Sequence, residues 1–111
     1  MEFELYHLVV YVPESHAEAV RKALSEAGAG NIGNYDNCSF SMKGTGRFRP
    51  LEGSKPAIGS KGMIESVPEE RIEVVVTHDK LPGVIRAARS VHPYEEPAIH
   101  VLPMLDYHDF L

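Results

Sequence analysis

Residues 3–28 read FELYHLVVYVPESHAEAVRKALSEAG, and two periodicities meet in that stretch. From Phe3 to Val12 the residues are β-branched, aromatic or leucine with little helical spacing, which marks a strand buried on at least one face, and Pro13 closes it. Ser15 and Glu18 have the spacing of a capping box, in which the hydroxyl accepts from a free helix N–H and the carboxylate returns to the serine's own N–H. Ala17, Val20, Ala23, Leu24 and Ala27 then form an apolar stripe, with Glu18, Arg21, Lys22 and Glu26 toward water. Gly28 supplies the left-handed residue that ends such a helix. The prediction is a β-α unit.

Outward from this unit, eight glycines and three prolines lie between Gly28 and Glu69, so the middle should be strands joined by turns. Asn37 to Lys43 alternates, with Cys38, Phe40 and Met42 on one face, and a turn is expected at Gly44 to Gly46. Met63 to Val67 reads as a short edge strand and Arg71 to Thr77 (RIEVVVT) as a central one. Asp79 is placed as the N-cap of a second helix. In it Leu81, Val84, Ile85, Ala88 and Val91 recur at helical spacing, and Pro82 is tolerated in the first turn. Pro93 stops this helix, and Ala98 to Leu102 forms a last strand ending at Pro103. The sum is an α+β chain, a ferredoxin-like β-α-β-β-α-β sandwich with an extended glycine-rich middle and two helices on one face of an antiparallel sheet. Strand one is apolar on both faces, with Phe3, Leu5, Val9 and Tyr11 opposite Leu8, Val10 and Val12, and an uncovered apolar sheet face predicts self-association.

A chain of 111 residues is one domain, residues 1–111, with little core to spare for a deep private pocket. A formal charge of −5 argues against a general nucleic-acid binder. The single Cys38 excludes an intrachain disulfide and a cysteine-based zinc ribbon, and on an alternating strand face it reads as packing. The acidic start and the lack of an ~18-residue apolar run argue against a signal peptide or membrane span, so the expected location is cytoplasmic.

Two segments carry chemistry. His92-Pro-Tyr-Glu-Glu-Pro97 places an imidazole, a phenol and two carboxylates in a stiff extended bend. His92 with Glu95 and Glu96 suits a divalent metal of the zinc or copper class, with His7, His78, His100 or His108 completing the sphere. The competing reading is that His92 and Tyr94 make structural hydrogen bonds at a helix end while the glutamates meet water or a neighbouring subunit, and three ligands from one short bend rarely close a coordination sphere. Lys43 to Lys61 is +4 against −9 for the remainder. Within it Gly44 and Gly46 can open a backbone nest for an anion, Lys43, Arg47 and Arg49 can clamp phosphate or carboxylate, and Phe48, with Tyr94 from the bend, can stack a ring. The competing reading of this segment is a solvated hairpin whose cations balance an acidic body. The tail Asp106-Tyr-His-Asp109 is metal-like in composition but terminal.

Tyr11-Val-Pro-Glu14, Gly28-Ala-Gly30, Ile32 to Phe40, Gly44-Thr-Gly-Arg-Phe-Arg-Pro50, Glu70-Arg-Ile-Glu73 and His92 to Ala98 together resemble the insert domain of the YqfO-type, Nif-three-like proteins. That domain is similar in fold to CutA divalent-cation-tolerance proteins and to PII signalling proteins, which are trimers. CutA proteins also carry a segment like His92-Pro-Tyr-Glu95. The resemblance implies a free-standing CutA-like homotrimer. The dinuclear metal centre of the larger family members belongs to flanking halves that have no counterpart here, so their hydrolase-like activity does not carry over.

The leading expectation is a binding or regulatory module rather than an enzyme. It would sense a divalent metal at His92 to Glu96, or a small anion or nucleotide at Gly44 to Arg49, in clefts between subunits. Two alternatives stand beside it. One is a small metal-dependent enzyme at the subunit interface, with His92 as ligand and Glu95 as general base; the other is a ligand-free interaction domain.

Overall fold

The computed structural model describes residues 3–111. Four strands, β1 (Leu5–Pro13), β2 (Phe40–Phe48), β3 (Glu65–Thr77) and β4 (Ala98–Met104), form one antiparallel sheet in the order β2-β3-β1-β4. Helix α1 (Ala17–Glu26) follows β1 and α2 (Leu81–Val91) follows β3. Each crossover therefore skips one position in the sheet: β3 separates β1 from β2, and β1 separates β3 from β4. This is the ferredoxin-like arrangement that the alternation of elements predicts.

Both helices lie on one face. Leu8, Val10 and Val12 of β1 and Ile72, Val74 and Val76 of β3 meet Val20 and Leu24 of α1 and Val84 and Ala88 of α2, all buried. Each large side chain removed from water there contributes roughly 1.5–3 kcal/mol, which is what holds the layers together. No helix among the described residues is long and apolar enough to cross a membrane.

Several local expectations are corrected. No capping box forms: Ser15 Oγ meets His16 Nδ1 at 2.8 Å, a 3-10 turn occupies Glu14–His16, and α1 begins at Ala17 without a side-chain cap. Asp79 does not cap α2 either; it accepts from Thr77 Oγ1 at 2.6 Å and Lys80 takes the cap position. Arg21 is not simply solvated. Its Nη1 donates to Glu70 Oε1 at 2.6 Å, tying α1 to the otherwise buried carboxylate of β3. Gly28 does end α1, at φ +104°.

The middle of the chain differs most. β2 begins at Phe40, so Asn37 to Ser39 belong to the preceding loop, and Cys38 is half-buried with its thiol near Asp36 O rather than in the core. The strand then continues through Gly44 and Gly46, paired with Glu69 and Val67. The turn expected there falls instead between residues 49 and 64, where Gly53, Gly59 and Gly62 take positive φ. Likewise the two strands predicted at Met63 to Val67 and Arg71 to Thr77 are one 13-residue strand. Pro68 is tolerated within it because β1 ends at Pro13, opposite Glu69, leaving β3 with a neighbour on one side only. Pro103 is likewise accommodated in β4, an edge strand.

The uncovered sheet face is not uniformly apolar. His7 Nε2 meets Glu73 Oε1 at 2.8 Å, Arg71 Nε lies 3.1 Å from Glu73 Oε2, and Arg71 Nη1 donates to Tyr11 Oη at 3.0 Å. Exposed apolar surface on this face lies at its two edges, with Phe40 and Met42 on β2 and Leu102 on β4.

Candidate functional site

The two chemistry-bearing segments are about 40 residues apart, yet the fold brings them together. The loop after β2 curls back over the end of the sheet, closed by Gly62 N donating to Pro50 O at 2.8 Å, and its Lys55 N–H donates to Glu95 Oε1 at 2.7 Å. Phe48 at the end of β2 packs edge-on against Tyr94, with ring centroids 5.4 Å apart. Between them lies a cavity of about 430 Å³, walled mostly by apolar side chains and by the rings of Tyr11, Phe48 and Tyr94.

Its polar groups are Glu69, Glu95, Glu96 and Arg47, with Ser54 on the loop side. Glu69 is the buried one, 8% exposed. Tyr94 Oη donates to its Oε2 at 3.2 Å, and the other carboxylate oxygen accepts no hydrogen bond among the described residues. Burial, then the neighbouring charge of Glu69 and the hydrogen bond to it, push the Tyr94 phenol up to about 12, so it stays a protonated donor.

Gly46 explains how a buried carboxylate fits here. A Cβ at this position would overlap the Glu69 carboxylate, whereas one at Gly44 would meet open space. Both glycines lie in a paired strand and neither has positive φ, so the expected anion nest is not formed. The missing side chain at 46 makes room for an anion of the protein itself.

His92 lies beneath the site and is 7% exposed. Its Nε2 lies 2.7 Å from Tyr11 O, a group that only accepts, so Nε2 carries the proton; Nδ1 accepts from Tyr94 N–H at 3.2 Å. Burial holds the imidazole below its ordinary 6.5 despite the opposing hydrogen bond to Tyr11 O and the charge of Glu69, which matches the neutral tautomer. Both nitrogens are therefore committed. The expected metal set of His92, Glu95 and Glu96 is not assembled, and no group of three or more His, Cys, Asp or Glu among the described residues is placed to hold an ion. The other imidazoles are dispersed: His7 on Glu73, His78 against Tyr6, His100 against Tyr11 and His108 on Asp106. That last pair closes a terminal 3-10 turn, which accounts for the metal-like tail.

Of the residues expected to take an anion, Gly46, Arg47, Phe48 and Tyr94 line the cavity. Lys43 and Gly44 border a smaller hollow of about 260 Å³ beside Tyr11 and Met42, with the Lys43 ammonium 4.0 Å from Glu14. Arg49 is exposed and borders neither. Sequence reasoning missed Glu69 and Tyr11. The available signal was the pair of glycines interrupting an otherwise alternating strand, a pattern that marks close approach by another group.

The fold built by this sheet and its two helices is that of the CutA proteins. The CutA from Archaeoglobus fulgidus superposes with a TM-score of 0.68 over 96% of this chain and 91% of its own, at 21% identity. CutA from Xylella fastidiosa gives 0.70 at 15% identity, covering 96% of this chain and 90% of that one. Sequence similarity then narrows the assignment. A Bacillus cereus protein related to NIF3 is 47% identical with a TM-score of 0.81, covering 94% of this chain and 26% of that one. A "GTP cyclohydrolase 1 type 2 homolog" from Halalkalibacterium halodurans is 51% identical over 100 residues, 90% of this chain and 27% of that protein. No family model matches the chain. The chain is thus a homologue of the CutA-like segment of the Nif-three-like proteins, and it spans about a quarter of the length of the relatives it matches.

Proposed function

We propose that the chain is a CutA/PII-like homotrimeric module that takes a small ligand in the cleft between the loop after β2 and the His92 to Pro97 bend. The observation that carries this reading is the convergence of two segments remote in sequence on one cavity of about 430 Å³, a size typical of small-molecule sites. The bend is held rigidly from below by His92 and from the side by the Lys55–Glu95 contact, so the cleft is pre-formed. Self-association is supported by Phe40, Met42 and Leu102, which leave apolar side chains exposed at both edges of the uncovered sheet face. A metal-dependent activity at His92 has less support, because it would cost one of that ring's two hydrogen bonds.

Backbone NMR of the full chain titrated with a panel of small amines, alcohols and carboxylates tests the site. Shifts are expected at Gly46, Phe48 and Tyr94. A panel that moves none of them overturns the cleft as a ligand site. Light scattering tests the assembly: a mass three times 12.3 kDa is expected, and a monodisperse monomer would remove the trimer from the proposal.

A further inference from the structure

The sign of charge in the cleft is opposite to that of the segment that builds half of it. Lys43 to Lys61 carries five cations in the sequence, but among them only Arg47 lines the cavity; Lys43, Arg49, Lys55 and Lys61 do not. Lys61 lies 3.8 Å from Glu52 on the loop's own surface, and Lys55 contributes only its backbone N–H, to Glu95. Against the single guanidinium stand the carboxylates of Glu69, Glu95 and Glu96. They come from two different elements, β3 and the bend, so their meeting is a product of the fold.

Glu69 distinguishes this from an ordinary acidic surface. It is more than nine-tenths buried, it lines a cavity together with three aromatic residues, and only one of its two oxygens accepts a hydrogen bond among the described residues. An ionised carboxylate in such surroundings is costly unless it is paired, and no arginine or lysine is paired with it among the described residues. The position is nonetheless accommodated: Gly46 leaves the space that the carboxylate fills, and Tyr94, whose phenol remains protonated, donates to it. The protein thus buries a carboxylate with one oxygen free of protein hydrogen bonds among the described residues, at a position that lines both the aromatic-walled cavity and the smaller hollow beside Lys43 and Arg71.

From this geometry we infer that the cleft binds an organic cation, a small molecule with an ammonium or guanidinium group on an apolar body, whose charged end pairs with Glu69. The inference rests on the cleft being the ligand site and names the class of ligand that site takes. The apolar body packs between Phe48, Tyr94 and the loop residues Pro56 and Ile58, which line the far wall. The rings of Phe48 and Tyr94 favour the same sign of charge, since an aromatic face attracts a cation and repels an anion, while the Tyr11 ring already carries the Arg71 guanidinium 5.6 Å from its centroid. Glu95 and Glu96, both exposed, sit at the rim and draw the cation in, with a dependence on salt that the buried Glu69 does not share. An anion of the same size would meet three carboxylates and one guanidinium.

Three probes that share a phenethyl body separate the possibilities on the unmodified full chain: phenethylamine, phenethyl alcohol and hydrocinnamate, each titrated at neutral pH and followed by calorimetry and by backbone NMR. The expected order of affinity is amine, then alcohol, then carboxylate, with shifts at Gly46, Phe48 and Tyr94. In Glu69→Gln, with folding verified by its NMR spectrum, the amine should weaken by about tenfold or more, the scale of a lost charge-assisted hydrogen bond, while the alcohol changes little. In Glu96→Gln the amine should weaken by less than about threefold, as a rim charge does. If hydrocinnamate or the alcohol binds as tightly as the amine and shifts the same residues, the cation inference is overturned and the cleft remains a ligand site. If none of the three moves those residues at millimolar concentration, both fall. The probe comparison needs no variant, so the outcome stands even if Glu69→Gln fails to fold.

Discussion

The helix-covered half of the molecule and the cleft end are built from the same sheet by different means. Around Leu24, Val74 and Val84 each side chain is interchangeable with others of similar size, because the requirement is only that apolar volume face apolar volume. At the cleft the requirement is positional: a Cβ at Gly46 would displace the Glu69 carboxylate from where it lies, and Glu69 lies there because β2 and β3 pair in one register. Shifting that register by one residue would turn Glu69 to the other face. Stability is thus spread over many contacts in one region, and chemistry in the other hangs on a few.

The largest effect that tests this contrast belongs to the core. Leu24→Ala, at a residue 1% exposed between α1 and the sheet, should cost about 2–5 kcal/mol in denaturant unfolding, with the amine-binding residues unshifted in the NMR spectrum of whatever remains folded. A loss below about 1 kcal/mol would mean that α1 packs less tightly than its burial indicates.

Next comes a pair of substitutions two residues apart. Gly46→Ala forces the Glu69 carboxylate to move and should destabilise the chain by about 1–3 kcal/mol, the usual cost of overpacking, and should disturb the Tyr94 resonances. Gly44→Ala has open space and no left-handed φ, so its effect should stay within about 0.5 kcal/mol. Equal effects at the two positions would show that Gly46 is not reserved for Glu69, and would take away the support it lends to a buried anion.

The smallest effect is a pH dependence. An unfolded His92 takes up a proton near pH 6.5, whereas the folded ring, held lower by burial, protonates only in more acid solution. Over that interval the unfolded state binds more protons, so stability present above about pH 6.5 is lost as the pH falls. The hydrogen bond to Tyr11 O and the charge of Glu69 work against this shift and His16 with it. Melting temperature measured from pH 8 to pH 5 should decline for the parent chain, and the decline should be shallower in His92→Gln. An unchanged slope would remove His92 as the group responsible.

Much of the fold was legible in the sequence because its signals are local. The run from Phe3 to Val12, the stripe from Ala17 to Ala27 and the spacing from Leu81 to Val91 each declare an element, and their order leaves few topologies open. The errors fell where a residue has two meanings. Glycine at 44 and 46 signals a turn when read alone, yet here both lie in a continuous paired strand, and Gly46 sits under the Glu69 side chain. Pro68 splits a strand on paper, but the structure places it beyond the end of β1, where one side of β3 has no partner to lose.

The same division runs through the site. By composition the sequence determined that imidazole, phenol, carboxylates and guanidinium groups would gather in two segments, and the stiff His92 to Pro97 bend follows from its own prolines. Which nitrogen of His92 is used, which cations turn outward and which carboxylate is buried were decided only by the tertiary structure. The physical reason is that charge and hydrogen bonding depend on distance and burial rather than on order along the chain. A +4 segment contributes one guanidinium to the cavity, while a glutamate from another strand, unremarkable in the sequence, becomes its buried charge.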